Sequence, residues 1–294
     1  MMDKMFTIFK NSLSRYRGQI LGWGLSLAAL CLLMTSFYNT IAAQKDQYMK
    51  ILEGYPKEML AFFGTSDAME MFTPAGYLNL EYFSYMTIII GIFAILAGSG
   101  MLAGDEEAGT MDLVLGHPVS RTALFIGRLL AFLVATIGIL VLNWIGFLIG
   151  IPGSGLGLNA LEIGQPFISL FAELMIFGTL ALVLSMLLPS RRMAAMTSGI
   201  LMVASFFITA LAQLDANLEK VAKISPLNYY QGGMAIDGLK WGWVAGLLGI
   251  SVLFVVIAWW RFERRDIRVG GEGNWRLPEF LRLRKRQEAA GNRV

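Results

Sequence analysis

Long runs of apolar residues alternate with short polar stretches along the chain. About 20 residues of α-helix cross a hydrocarbon core about 30 Å thick, and several runs reach that length. Because the runs are continuous, they favour helices over the alternating strands of an outer-membrane barrel. We therefore predict an all-α integral membrane protein with six transmembrane helices, at residues 20–42, 80–103, 123–149, 166–188, 193–211 and 241–260.

The composition agrees with a membrane protein and excludes several kinds of site. Of 294 residues, 56% are hydrophobic and only 15% are charged, unlike an ordinary soluble domain. The single cysteine, Cys31, excludes an intrachain disulfide, and the single histidine, His117, excludes a metal site built from several histidines. We expect no metal, no cofactor bound by this chain and no nucleic acid partner.

The distribution of basic residues predicts an orientation. If both termini are cytoplasmic, every arginine stays on the cytoplasmic side, in agreement with the positive-inside rule. We therefore expect a multi-pass protein of the inner (plasma) membrane of a prokaryotic-type cell. The basic residues left outside are all lysines: Lys45, Lys50, Lys57, Lys220, Lys223 and Lys240.

Segments outside the six spans have their own patterns. Residues 1–17 predict an amphipathic helix in the membrane interface, and the run after them is too long for a signal-peptide core. Short interfacial helices are expected within residues 43–78. We assign residues 1–262 to a single transmembrane domain and residues 263–294 to a basic cytoplasmic tail, which binds anionic lipid or contacts a partner protein.

A patterned polar stretch, GDEEAGTMDLVLGHPVSR at residues 104–121, separates the second and third predicted spans. Acidic residues at its start suit a helix N-terminus, where unpaired N–H groups favour negative charge. A short apolar ridge follows, and Pro118 cannot continue a helix. The pattern predicts a short helix with an acidic shoulder, offered to a partner outside the membrane.

This stretch resembles the short cytoplasmic coupling helix of permeases of type-2 ATP-binding-cassette (ABC) transporters. Weaker similarity extends to residues 225–227 and 262–266. The resemblance implies the membrane subunit of an exporter, docked on a separate ABC ATPase. It also implies two ATPase copies and a second permease half, identical or a close paralogue. The residues carried over as ATPase-coupling are Asp105, Glu106, Glu107, Gly109, Thr110, Asp112, Pro118 and Arg121.

A glycine-rich turn at residues 153–157 is similar to a nucleotide-binding loop only in its glycines. No lysine follows them, and the chain contains no G-x-x-x-x-G-K-[ST] motif. The chain is therefore expected to lack an ATPase site of its own and not to be an enzyme. ATP and Mg would then bind the partner ATPase.

Two polar residues lie within predicted spans and are candidates for the transport pathway. Glu173 is either a substrate or proton site or a protonated structural carboxyl, because a carboxylate facing lipid is costly. Asn143 is expected to join neighbouring helices through hydrogen bonds. A proton-coupled secondary transporter using Glu173 is the main alternative function, followed by a membrane-bound enzyme and a structural or signalling subunit.

Small residues recur at four-residue spacing in the second and third spans, as at Ala94 and Gly98 or Gly146 and Gly150. Such spacing allows close helix packing in lipid. The other interpretation is that glycine is simply common in membrane helices.

Overall fold

The computed structural model describes residues 2–52, 54, 69, 72–212 and 216–265. Within these ranges the protein is helical and contains no β-strand. Six helices are long and apolar enough to cross a membrane. The predicted class, an all-α membrane protein with six spans, is confirmed. Two predictions fall outside the described residues, namely part of the outside connection at 55–68 and the tail from residue 266 onward.

Helix α1 is the longest element, and the other helices follow it in chain order with short connections. The π-helical turn Asn79–Phe83 joins α3 to α4, and the 3-10 turns Pro226–Tyr229 and Gly232–Asp237 precede the last helix. The helices are α1 Met2–Ala43, α2 Lys45–Leu52, α3 Pro74–Leu78, α4 Ser84–Gly100, α5 Ala103–Glu107, α6 Met111–Leu115, α7 Arg121–Gly150, α8 Ala160–Leu187, α9 Arg191–Ala212, α10 Ala216–Ala222 and α11 Trp241–Arg264.

Successive spans run in alternate directions, so both ends of the described chain lie at the same end of the bundle. The Lys4 ammonium donates a hydrogen bond to the Pro118 carbonyl at 2.7 Å. At the other terminus, the Arg121 guanidinium donates to the Arg265 carbonyl, also at 2.7 Å. We call this end, which also contains residues 103–120, the Asp105 end.

The first helix differs from its prediction because no break separates residues 1–17 from the first span. Helix α1 packs along α7 over most of its length, which carries helical structure through both segments. A Cβ on Gly127 would lie 3.1 Å from the Met5 carbonyl oxygen, and one on Gly146 would lie 2.7 Å from the Ala28 carbonyl oxygen. These close approaches support the interpretation that the small residues allow neighbouring helices to pack closely.

Helix α8 lies at the centre of the bundle and packs against α4, α9 and α11. A Cβ on Gly98 of α4 would lie 2.0 Å from the Gly178 carbonyl oxygen of α8, and a Cβ on Gly178 would lie 2.5 Å from the Phe132 ring of α7, so neither position has room for a side chain. Helix α8 begins at Ala160 rather than at Pro166, because Asn159 and Glu162 form a capping box before the proline. In contrast to α8, helices α1, α9 and α11 are largely exposed on the outside of the bundle.

Candidate functional site

The stretch at residues 103–120, which we call the connecting segment, forms two short helices rather than one. Helices α5 and α6 are separated by a turn in which the Thr110 N–H donates to the Asp105 carbonyl at 2.9 Å. Gly109 has φ of +67° in this turn, a backbone conformation that favours glycine. Within this chain the glycine therefore serves the backbone conformation, since a Cβ there would meet nothing within 4 Å.

The start of the second short helix and the start of α7 after it are both held in place. Met111 is buried at the start of α6 and packs into the hydrophobic core. Ser120 caps α7, because its hydroxyl accepts a hydrogen bond from the Ala123 N–H at 3.2 Å. Thr110 precedes α6 without capping it, and its hydroxyl donates to the Asp105 carbonyl at 3.3 Å.

Asp105 joins the connecting segment to α1 and α7. Its carboxylate pairs with the Arg128 guanidinium of α7 and with the Arg15 guanidinium of α1, the latter at 3.3 Å. Arg128 also donates to the Met101 carbonyl at 2.7 Å, at the end of α4. Because Arg128 is buried, its positive charge depends on Asp105 for compensation.

Glu106 forms the most deeply buried ion pair recorded among the described residues. Its side chain is 1% exposed, and both carboxylate oxygens accept hydrogen bonds from the Arg265 guanidinium, which is 7% exposed. The same guanidinium donates to the Met186 carbonyl at 3.4 Å, near the end of α8. Glu106 thus joins the connecting segment to the residue that follows α11 and to the end of α8.

Glu107 contacts the start of α9. One of its carboxylate oxygens accepts a hydrogen bond from the Arg191 backbone N–H at 2.6 Å. The first N–H groups of a helix have no partner within the helix, and a carboxylate at this place is favourable. Glu107 therefore stabilises the N-terminus of α9 and connects a fifth span to the segment.

Arg121 contacts a helix C-terminus, whereas Glu107 contacts a helix N-terminus. Its guanidinium donates to the carbonyls of Phe262, Glu263 and Arg265, at 3.0, 3.3 and 2.7 Å, where α11 ends. A positive charge is favourable beside the unpaired carbonyls of a helix C-terminus. The neighbouring Thr122 hydroxyl donates to the Glu263 carboxylate at 2.6 Å. The start of α7 is therefore joined to the end of α11 by both Arg121 and Thr122.

Only part of the acidic shoulder of the connecting segment is therefore exposed. Glu106 is inside the protein, and Asp105 is only partly exposed, because both are paired with arginines. The outward surface instead contains Asp112, His117 and Pro118 around Leu113, whose side chain is 70% exposed. Such an isolated exposed leucine fits an apolar groove on another protein. We call residues 112–118 the exposed tip.

The two intramembrane candidates lie away from this segment. Asn143 is fully buried in α7, where its side-chain amide donates to the Ile139 carbonyl at 2.6 Å and its oxygen accepts from the Tyr82 hydroxyl. It thereby joins α7 to the π-helical turn. Glu173 is buried in α8, and neither carboxylate oxygen has a hydrogen-bond partner among the described residues.

Sequence reasoning missed the arginines that hold the connecting segment. From the sequence, Arg15, Arg128 and Arg191 indicate only positive charge near the membrane, and Arg265 lies in the weaker similarity at 262–266. In the structure the side chains of Arg15, Arg128 and Arg265 pair with Asp105 or Glu106, and the Arg191 backbone N–H donates to Glu107. An available signal was the presence of three adjacent carboxylates at the end of the bundle where the arginines gather. No cluster of His, Cys, Asp and Glu suited to a metal occurs in the part of the chain that the structure describes.

The fold defines a multi-pass membrane protein, and comparison with known proteins identifies its family. A family model described as "ABC-2 family transporter protein" matches residues 7–267. The chain therefore belongs to the ABC-2 transporter family.

The chain is distantly similar to a protein of known sequence. The uncharacterized protein YhcI of Bacillus subtilis (strain 168) is 24% identical over 205 residues. The match covers 62% of this chain and 66% of YhcI, slightly less than two thirds of that protein.

Proposed function

We propose that this chain is the permease subunit of an ATP-driven exporter and that it forms half of the translocation pathway. In this proposal the connecting segment is the coupling element, and it docks on the ATPase through the exposed tip. Movement of the ATPase would then be transmitted to the spans as a rigid-body displacement.

One observation carries the proposal: the connecting segment is bound to five spans, although its tip is exposed. Asp105 contacts α1 and α7, and Glu107 contacts α9. Glu106 pairs with Arg265 at the end of α11, and the Arg265 guanidinium also donates to the end of α8. Paired and buried charges at these contacts resist independent movement of the segment. A force on the tip would therefore move the ends of these helices together.

The proposed assembly contains two ATPase copies and a second permease half, identical to this chain or a close paralogue. ATP and Mg would bind the ATPase subunits, and no cofactor would bind this chain. The arginines at the Asp105 end support a cytoplasmic location for that end and for both termini, in the inner membrane. Anionic lipid is a further partner of this basic surface.

A second candidate function rests on Glu173. A buried carboxyl without a hydrogen-bond partner among the described residues is typical of proton relays in transporters. In this alternative the chain is a proton-coupled secondary transporter and needs no ATPase. The pairings of the connecting segment favour the ATP-driven function, because a secondary transporter has no need of a tip built for docking.

The variant Glu173→Gln distinguishes the two functions. We expect the wild-type complex in proteoliposomes to hydrolyse ATP in a vanadate-sensitive manner, and we expect the variant complex to retain this rate. A pH-sensitive dye inside the liposomes reports proton movement at the same time. The proposal fails if the chain purifies without an ATPase and carries a proton flux that Glu173→Gln abolishes. The variant Glu162→Gln, at the exposed N-terminal turn of the same helix, is the control.

A further inference from the structure

A cavity among the described residues lies at the end of the bundle opposite the connecting segment. Its volume is about 520 Å³, within the range of sites for small ligands. Helices α4, α9 and α11 contribute Thr87, Phe206 and Trp243 to its walls, and the chain between residues 227 and 240 closes it. None of these residues belongs to the connecting segment or its anchors.

The walls of this cavity are fixed by reciprocal hydrogen bonds. The Gln231 side chain accepts from the Lys240 N–H at 2.7 Å and donates to the Lys240 carbonyl at 3.3 Å. Its own N–H donates to the Ser169 hydroxyl of α8 at 3.0 Å. On the other side, the Gly233 N–H donates to the Asn79 side-chain oxygen at 2.9 Å. The fold therefore holds the cavity open, and a ligand could bind with little rearrangement of its walls.

Two opposite charges line the cavity without neutralising each other. Asp237 and Lys240 are both exposed at its rim, and no ion pair joins them within the described ranges. The Lys240 ammonium lies 4.3 Å from the centre of the Trp243 ring, while its backbone is held by Gln231. A purely anionic ligand would be repelled by Asp237, and a purely cationic ligand would be repelled by Lys240.

Apolar surface continues from the cavity along the outside of the bundle. Val203 lies about one helical turn from Phe206 on α9, and Ile250 lies about two turns from Trp243 on α11. Both side chains are exposed, at 39% and 45%. A ligand with its polar head in the cavity therefore has an apolar surface on which an alkyl chain can lie.

We propose that this cavity binds the head group of a zwitterionic amphiphile, with Lys240 facing the anionic group, Asp237 facing the cationic group and α9 and α11 contacting the alkyl chains. The site is independent of the ATPase contact, so it stands whether or not the connecting segment is the coupling element. The matching ligand on chemical grounds is a lipid that carries a phosphate and an amine.

Native mass spectrometry of the full chain in maltoside detergent tests this site with four probe lipids: phosphatidylethanolamine, anionic phosphatidylglycerol, a cationic trimethylammonium lipid and uncharged diacylglycerol. We expect the zwitterionic lipid to bind first, about fivefold more tightly than the others, since each partly exposed charge contact contributes modestly. Soluble phosphoethanolamine tests the contribution of the chains, and we expect it to bind more weakly than the lipid.

Variants of the two rim charges should reverse the selectivity. Asp237→Asn leaves Lys240 alone and should favour the anionic lipid, while Lys240→Gln should favour the cationic one. Matched controls are Glu219→Gln and Lys223→Gln, each of which removes an exposed ion pair of 2.9 Å between Glu219 of α10 and Lys223, the residue that follows this helix. The proposal would be overturned if all four lipids bound with equal affinity, or if soluble phosphoethanolamine bound as tightly as the lipid. It would also be overturned if the rim variants behaved like the controls. Melting temperatures confirm that each variant is folded.

Discussion

Replacement of Leu113 by aspartate is expected to abolish binding of the proposed ABC ATPase partner while leaving the membrane domain folded. Leu113 is the large apolar side chain of the exposed tip, and it is 70% exposed in the isolated chain. If it fills an apolar groove on the ATPase, an aspartate there buries an unpaired charge. Loss of a central contact of this kind costs about 2 kcal/mol or more, or about 30-fold in affinity.

Co-purification of the ATPase in mild detergent measures this effect, with vanadate-sensitive ATP hydrolysis as a second readout. The matched control is Leu161→Asp, which changes an 81% exposed leucine at the opposite end of the bundle. An acidic residue is tolerated there, because position 161 lies in the first turn of α8. Retention of the ATPase by Leu113→Asp at the wild-type level would show that the tip is not the docking site.

The variant Glu106→Ala is expected to destabilise the protein more than any other single charge removal at the Asp105 end. It leaves the Arg265 guanidinium, only 7% exposed, without its carboxylate partner. Removal of one member of a buried ion pair costs about 3–5 kcal/mol, whereas an exposed pair contributes about 0–1 kcal/mol. Thermal unfolding of the purified chain measures the difference against Glu219→Ala, which breaks the exposed pair with Lys223.

A double variant separates the loss of the charge pair from the loss of the contact. Replacing Glu106 and Arg265 together by methionine fills the same space with apolar groups and should recover most of the stability. If the pair also transmits movement, the double variant should bind the ATPase but respond less to it in ATPase rate. A Glu106→Ala protein as stable as the Glu219→Ala control would contradict the role assigned to this pair.

The spans could be predicted from the sequence because each is a continuous apolar run long enough to cross a bilayer. Helix ends were harder to predict. The proline at 166 marks a plausible start, yet Asn159 and Glu162 begin the helix earlier and Pro166 lies inside it. Membrane helices tolerate such a proline when neighbouring groups satisfy the freed carbonyl.

The position of the candidate site could also be predicted, but its internal contacts could not. The acidic stretch, the apolar ridge and Pro118 identify residues 104–121 as a separate polar element. The partners of its carboxylates are far away along the chain, since Glu106 and Arg265 are 159 residues apart and Asp105 and Arg15 are 90 apart. Local patterning carries no information about such pairs, which depend on how the spans pack.

This difference changes the interpretation of the three carboxylates. The sequence alone favours an acidic shoulder offered to a partner outside the membrane. In the structure Asp105 and Glu106 instead hold the segment in place, and Leu113 is exposed. Their part in coupling stays a prediction, now as positioning residues that act through α7 and α11. Asp112 and Pro118 remain at the surface, where they are available for direct contact.

Site-specific photocrosslinking in native membranes tests the central claim most directly. A photoreactive amino acid at position 113 should form a covalent adduct with an ABC ATPase subunit, identified by mass spectrometry. The same amino acid at position 161, on the opposite end of the bundle, should form none. Absence of an ATPase adduct from position 113, or equal adducts from both positions, would contradict the assignment of residues 103–120 as the coupling element.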